Sequence, residues 1–247
     1  MLSPVFILST GRTGTQFFES YINGTSQDAL CLHEPKPSRR FKFLSNMLLQ
    51  ERVSVQSVNR IYQHSRRSLF SSLQDKVYIE SSNFMFGCIP ALNEIYGDIR
   101  IIHMVRHPLT YVRSHLGKGF WRGHKRIFAR YVPYWLEDLD MAKKEGPVAL
   151  LAARWVYVNR QIASYQESNP YLRIRFEDLF SGAEKGSSDQ LNLIRSFCGL
   201  PDLEPEINAE WIRHPKNPSS RTYTLEPDDQ QQIYAICGSL MKDFQYS

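Results

Sequence analysis

The apolar run Val5-Phe6-Ile7-Leu8 passes through Ser9-Thr10-Gly11-Arg12-Thr13-Gly14-Thr15 into a stretch with helical spacing. The chemistry this pattern suits is anion binding. Gly11 and Gly14 let the backbone fold tightly enough for consecutive N–H groups to point inward. The helix that follows adds its unpaired first-turn N–H groups and the positive end of its dipole. Thr13 and Thr15 bring hydroxyl donors, and Arg12 brings a permanent positive charge to the rim. Ser9, Thr10 and Gln16 complete the segment expected to touch the anion. The glycine spacing is shorter than that of a Walker A loop, and no Lys follows Gly14, so a magnesium-dependent nucleoside triphosphatase is disfavoured.

A second candidate anion site starts where the run Ile101-Ile102-His103-Met104-Val105 meets Arg106-His107-Pro108. An Arg at a buried strand end needs an anionic partner. Pro108 suits a first helical turn, where its missing N–H costs nothing. Ser114 follows eight residues after Arg106, so its hydroxyl can face the same ligand from the second turn. A structural pair between Arg106 and a carboxylate is the other reading.

The elements that must position these residues alternate. Val5–Leu8, Ala29–Leu32, Val77–Ile79, Ile99–Val105 and Leu172–Arg175 read as buried strands. Helical spacing covers Thr15–Ile22, Phe41–Gln50, Ser54–Leu73, Pro90–Tyr96, Pro108–Leu116, Val132–Lys144, Val148–Glu167 and Gln190–Phe197. A last helix, Asp228–Lys242, follows the start signal Glu226-Pro227-Asp228-Asp229. The alternation predicts an α/β fold, a central mostly parallel sheet flanked by helices, with ligands beyond the carboxyl ends of the strands. Ser181–Asp189 reads as a solvated polar loop. His214–Arg221, with two prolines, Lys216 and Arg221, reads as a surface loop or a lid over an anionic ligand.

The 247 residues fit one domain spanning 1–247. With 42% hydrophobic and 22% charged residues, the chain is neither disordered nor collagen-like. The net charge of +5 suits an anionic small molecule, and no long Lys/Arg block marks a nucleic-acid partner. Cys31, Cys88, Cys198 and Cys237 lie far apart, with no C-x-x-C pair and no zinc-ligand spacing. They read as buried free thiols, which favour a reducing compartment. No apolar run is long enough to span a membrane and the N-terminus lacks a basic n-region, so a cytoplasmic location is expected.

STGRTGT followed by IIHMVRHPLTYVRSH resembles the two nucleotide-binding signatures of the sulfotransferases, which use 3′-phosphoadenosine 5′-phosphosulfate (PAPS). The segments Arg173–Leu179 (RIRFEDL) and Ile194–Pro201 (IRSFCGLP) are similar to later family segments, so the likeness runs from residue 5 to about 201. The resemblance implies a P-loop NTPase-like sulfotransferase fold, a 5′-phosphosulfate held by the first loop, and a 3′-phosphate held by Arg106 and Ser114. It implies PAPS as co-substrate and 3′-phosphoadenosine 5′-phosphate (PAP) as product, with no metal required. The acceptor is then a hydroxyl or amine of a small molecule or glycan. Arg12 stands where many soluble members carry Lys, as in carbohydrate-modifying and several bacterial members. The late glycine-rich cofactor loop of the steroid and phenol enzymes is missing, and Arg221 is the expected substitute. The competing readings are a P-loop nucleotide kinase, which needs the Walker Lys, and a non-catalytic PAP-binding protein.

Sulfuryl transfer rests on alignment and on stabilising spread-out charge, and a positioned base adds about 10²–10⁴-fold. Glu34, in Leu32-His33-Glu34-Pro35, follows the second strand 20 residues after Gly14 and is the first candidate. Pro35 is expected to hold Glu34 in an extended backbone. His33 is the second candidate and Glu80 the third. Glu80 belongs to a polar cluster reaching Asn83 that suits the acceptor pocket, the orientation of the catalytic carboxylate, or capping of a helix beginning near Phe84. Arg12 would face the bridging oxygen as PAP departs. Lys118–Trp135 interleaves aromatic and cationic residues, suiting either acceptor contact or a packed helix with a basic side. Lys118 and Arg122 are further candidates for the 3′-phosphate.

Overall fold

A computed structural model describes residues 3–71, 73, 75–117, 145–180, 184–213 and 223–246. The described chain divides into two compact units, Met1–Val105 with Gln161–Lys216 and Arg106–Arg160 with Asn217–Ser247. The predicted helix Val132–Lys144, the aromatic and basic stretch Lys118–Trp135 and the loop His214–Arg221 lie outside the described residues.

The first unit is built on five parallel strands, β1 (Val5–Ser9), β2 (Ala29–His33), β3 (Val77–Ser82), β4 (Arg100–Val105) and β5 (Tyr171–Arg175). Their order is β2-β3-β1-β4-β5, so β1 is central, with β3 on one side and β4 on the other. Leu8 pairs with Ser82, Ser9 with Met104, and His33 with Ser81, which aligns the carboxyl ends of β1 to β4 along one edge. Ligands of open parallel sheets bind outside that edge. All five residues of β1 are buried, because a strand covered on both faces must be apolar on both.

One face of the sheet is covered by α1 (Thr15–Thr25) and α8 (Glu184–Cys198). Phe17, Phe18, Tyr21 and Ile22 recur on one side of α1 and pack with Val5, Ile7, Ile79, Ile102 and Ile174. Truncating the fully buried Phe18 to Ala would cost about 3–5 kcal/mol. The opposite face carries Phe6, whose ring meets Tyr62 and Tyr96 of α3 (Val55–Phe70) and α4 (Ile89–Tyr96). Ahead of α3 lies α2 (Ser38–Leu49), and the Ser54 hydroxyl caps α3 by accepting the Ser57 N–H at 3.2 Å.

Three corrections to the sequence reading fall in this unit. Residues 184–189 begin α8 rather than a solvated loop, and Ser187 and Ser188 are buried. The Ser188 hydroxyl is met internally, whereas that of Ser187 has no hydrogen-bond partner among the described residues. Asn208 donates to Ser188 Oγ at 3.1 Å and to Asn192 Oδ1 at 3.0 Å, and accepts from Tyr21 Oη at 2.6 Å. Asn208 sits on α9 (Pro205–Ile212), which like α7 (Phe176–Phe180) is a short helix that periodicity did not reveal. No helix begins near Phe84, since Ser82 Oγ accepts the Phe84 N–H in a turn and α4 starts at Ile89.

The second unit holds α5 (Pro108–Leu116), most of α6 (Pro147–Ala163) and α10 (Pro227–Asp243). The α10 helix opens with Pro227 at its first position and a capping box between Glu226 and Asp229, as its start signal predicts. The fully buried Trp155 of α6 packs on Phe244, and Cys237 of α10 lies 3.6 Å from the Ala152 carbonyl. No helix among the described residues is long and apolar enough to cross a membrane.

Candidate active site

β1 ends at Ser9 and α1 begins at Thr15, leaving five residues to reverse the chain. They do so with three left-handed backbones, Gly11 at φ +85°, Arg12 at +61° and Gly14 at +73°. Glycine pays no Cβ penalty for this, whereas Arg12 does. The turn is pinned by Ser9 Oγ, which accepts the Gly11 N–H at 3.1 Å. A Cβ on Gly14 would stand 2.8 Å from the Phe180 ring, and one on Gly11 would stand 2.7 Å from Asn83 Nδ2, so the loop is closed from behind on both sides.

Gly14 is the N-cap of α1 and supplies no side-chain cap; the Phe17 N–H bonds the Gly14 carbonyl at 2.8 Å, and the positive end of the helix dipole meets the loop. Thr13 is fully buried, and its hydroxyl has no hydrogen-bond partner among the described residues. Leaving a hydroxyl dry and unbonded costs stability, which an oxyanion in the loop would recover. Thr10 and Thr15 are buried, Arg12 is half-buried, and Gln16 is exposed in the first turn of α1. Burial pulls the Arg12 guanidinium below its usual value, yet an arginine keeps its charge at neutral pH.

Two hydroxyl and amide links join this loop to the neighbouring strands. Ser81 Oγ donates to the Thr15 carbonyl at 2.9 Å and lies 3.3 Å from His33 Nδ1. Because the hydroxyl has one proton and gives it to the carbonyl, His33 Nδ1 carries the hydrogen in that contact. Burial pushes the His33 pKa down, against the upward pull of Glu19 and the Ser81 backbone bond, so His33 is neutral near pH 7. The Glu19 carboxylate also accepts the His33 backbone N–H at 3.1 Å.

Glu34 follows directly. Its N–H donates to the Ser81 carbonyl at 2.9 Å, extending the pairing of β2 with β3 by one residue. Its φ is +46°, which corrects the expectation of an extended backbone before Pro35. The Ser81 bond holds the peptide while the chain turns away from the sheet, and a left-handed residue there stores roughly 1–3 kcal/mol of strain. Burial raises the Glu34 carboxyl above its ordinary range. The Asn83 backbone N–H, Arg39 and Lys42 oppose that rise. Asn83 therefore touches both the loop, through Gly11, and the Glu34 carboxylate. Sequence reasoning saw Asn83 only as part of a polar cluster; its place at the carboxyl end of a strand beside β1 was the available signal.

Glu80 is no base. It points to the other face of β3 and accepts from Tyr62 Oη at 3.1 Å, Tyr78 Oη at 2.6 Å, Arg66 Nε at 3.1 Å and Arg66 Nη2 at 2.8 Å. Arg66 also donates to the Lys36 carbonyl at 2.8 Å and the Pro35 carbonyl at 3.2 Å. Those are the two residues after Glu34, so the buried pair anchors the segment that carries it. Arg66 escaped sequence reasoning because nothing in a helical Ser-Arg-Arg run distinguishes a buried guanidinium from a solvated one.

In the second unit, Arg106 is half-buried. Its Nε donates to Thr110 Oγ1 at 3.1 Å, and its carbonyl accepts from Trp155 Nε1 at 2.8 Å. Pro108 opens α5, and His107 Nδ1 caps it by accepting the Leu109 N–H at 3.3 Å. Ser114 lies buried on α5, while Arg221 lies outside the described residues. Among the described residues no cluster of three His, Cys, Asp or Glu side chains is placed to hold a metal.

The sequence pattern of the Sulfotransferase family matches residues 4–205. The sulfotransferase from Alicyclobacillus acidocaldarius is 17% identical across 100% of this chain and 97% of its own, with a TM-score of 0.60. Mouse sulfotransferase SULT7A1, complexed with PAP, is 12% identical across 98% of this chain and 85% of its own, with a TM-score of 0.56. No protein of curated function matches the chain in sequence. At such identities the two structures speak to the fold, which is theirs: a parallel α/β sheet flanked by helices. The chain belongs to the sulfotransferase family, and its chemistry is sulfuryl transfer.

Proposed function

We propose that this sulfotransferase uses PAPS as donor and moves its sulfuryl group to a hydroxyl or amine of a small-molecule or carbohydrate acceptor. The observation that carries the reading is the cradle at the start of α1: three left-handed residues, a helix start without a side-chain cap and the orphaned Thr13 hydroxyl. In this reading Ser9–Gln16 hold the 5′-phosphosulfate, and Arg106, Ser114 and Arg221 hold the 3′-phosphate. Support for the second assignment is connectivity, because β4 is hydrogen-bonded to β1 and the residue after Val105 is Arg106. The family match, which runs through residues of both units, supports a single functional domain. The four buried free cysteines support a reducing, cytoplasmic setting.

In the transfer the acceptor oxygen or nitrogen bonds to sulfur as the bridging bond of the phosphosulfate breaks. Glu34 takes the acceptor proton. Its raised pKa makes it a stronger base than an exposed carboxylate, while the Asn83 backbone N–H, Arg39 and Lys42 favour its charged form. Neutral His33 is the alternative acceptor of that proton through Nε2, since Nδ1 is engaged with Ser81. Arg12 stabilises the charge that builds on the departing PAP. The missing Walker Lys and the family match tell against a nucleotide kinase.

Thermal unfolding tests the reading. PAP without magnesium should raise the midpoint, by about 2.7 kcal/mol of stability at a hundredfold excess over Kd. Stabilisation by ATP with magnesium but not by PAP would overturn it. Labelled PAPS with an acceptor library then separates an enzyme from a PAP-binding protein, since only the enzyme passes label to an acceptor.

A further inference from the structure

Neither α2 nor α3 contains a single Asp or Glu, although together they carry Arg39, Arg40, Lys42, Arg60, Arg66 and Arg67. A helix face that is merely solvated usually intersperses both signs. Arg66 is consumed by Glu80 and the half-buried Lys42 lies over the Phe84 ring, whereas Arg39, Arg40, Arg60 and Arg67 are exposed. Arg60, His64 and Arg67 recur at helical spacing along the exposed side of α3, and Arg40 stands across from them at the start of α2. Among the described residues, none of these four side chains makes a hydrogen bond, ion pair or ring contact.

They line two hollows that share Arg60 and His64. One part, a groove of about 430 Å³, is walled by Pro37, Arg40, Arg60, Ile61, His64 and Ser65. The other, about 780 Å³, adds Arg67 and lies against Ser3 and Pro4, just before β1, and Tyr96, at the end of α4. No carboxylate lines either part. The groove opens at Pro37, three residues past Glu34. Chain length alone keeps those two backbones within about 11 Å of each other.

We infer that this groove is an acceptor subsite for a negatively charged group carried by the acceptor itself: a carboxylate, sulfate or phosphate. The inference rests on Glu34 marking the acceptor side of the transferase. Arg40, Arg60 and His64 hold the acidic group while the hydroxyl or amine to be sulfated lies at Glu34. The phosphate loop plays no part in this recognition, so the two anion sites are separable. A long-range attraction by Arg40, Arg60 and Arg67 also concentrates an acidic acceptor at the site, an effect that salt weakens.

The test titrates the nucleotide-free protein by calorimetry with trigalacturonate, sulfated maltotriose, maltotriose phosphate and neutral maltotriose. At least one acidic probe should bind, the tightest naming the acidic group, and neutral maltotriose should not. The double variant Arg40→Gln/Arg60→Gln, both exposed positions, should weaken that binding about tenfold and keep the wild-type affinity for PAP. A PAP titration of the wild type reads the donor proposal separately, so failure there does not mimic failure here. The inference is overturned if no acidic probe binds, if the double variant binds as wild type does, or if single-stranded dT6 binds more tightly than every acidic saccharide.

Discussion

Arg66 grips the Glu80 carboxylate through two nitrogens, Nε at 3.1 Å and Nη2 at 2.8 Å, with both side chains almost fully buried. Burial works against the guanidinium charge, but the hydrogen bonds and charge of Glu80 outweigh it and raise the Arg66 pKa above its usual value. The remaining Arg66 bonds, to the carbonyls of Pro35 and Lys36, turn this internal pair into a support for the segment behind Glu34.

Removing one partner should therefore be costly. Glu80→Gln leaves a buried guanidinium without its counter-charge and should lose about 3–5 kcal/mol, read from the urea midpoint. The double variant Arg66→Met/Glu80→Leu should be more stable than either single variant, because no uncompensated charge remains inside. A double variant less stable than both singles would contradict this account of the pair.

The glycine loop after β1 separates backbone strain from charge. Gly14→Ala combines a left-handed φ with a Cβ 2.8 Å from an aromatic ring and should destabilise the fold by about 2–3 kcal/mol. Gly11→Ala meets only the movable end of Asn83 and should cost less. Both should weaken PAP binding, and equal unfolding midpoints for the two would refute the distinction.

Arg12 is the charge expected at the departing oxygen. Arg12→Gly keeps the backbone at φ +61° without strain while deleting the guanidinium. Turnover should fall by about one to three orders of magnitude with the unfolding midpoint retained. Near-normal turnover would remove Arg12 from the mechanism.

Glu34→Gln should keep PAP binding and lose transfer by about 10²–10⁴-fold. In the wild type, turnover should rise with pH through an apparent pKa above the ordinary carboxylate range, the direction set by burial. The same shift has a sign for stability. A carboxyl whose folded pKa is raised binds its proton more tightly when folded, so stability falls as pH climbs from the unfolded value through the folded one. Glu34→Gln should thus gain stability relative to wild type at pH 7 and lose that advantage below pH 4. An advantage that is larger in acid would show that burial does not govern this carboxyl.

Burial pushes the thiols of Cys88, Cys198 and Cys237 up to about 12, and Cys31 well above its usual value. Iodoacetamide at pH 8 should leave the native protein unmodified and label all four cysteines after denaturation. Rapid labelling of the native protein at any of them would show that site to be open to solvent.

Local pattern was legible wherever one short segment carries its own physical reason. The strand, glycine turn and helix from Val5 to Thr25 are readable because a continuous apolar run, φ demands and helix start all lie within twenty-odd residues. The same holds for Pro108 opening α5 and for the capping box before α10. Polar segments were harder. Ser188 looked solvated because its partner, Asn208, lies on another helix twenty residues away, and Glu80 looked like a base because its four donors come from Tyr62, Arg66 and Tyr78.

Periodicity and glycine spacing by themselves determined the parallel α/β sheet and the tight turn after β1, and the resemblance its motifs carry pointed to the family, since each depends on neighbours along the chain. Only the tertiary structure decided that Glu80 is spent on Arg66, that Glu34 turns left-handed at the sheet edge, and that Ser81 links His33, and Asn83 links Glu34, to the loop. Those outcomes are set by hydrogen bonds and burial between residues far apart in sequence, where a side chain's chemistry belongs to whatever the fold places against it.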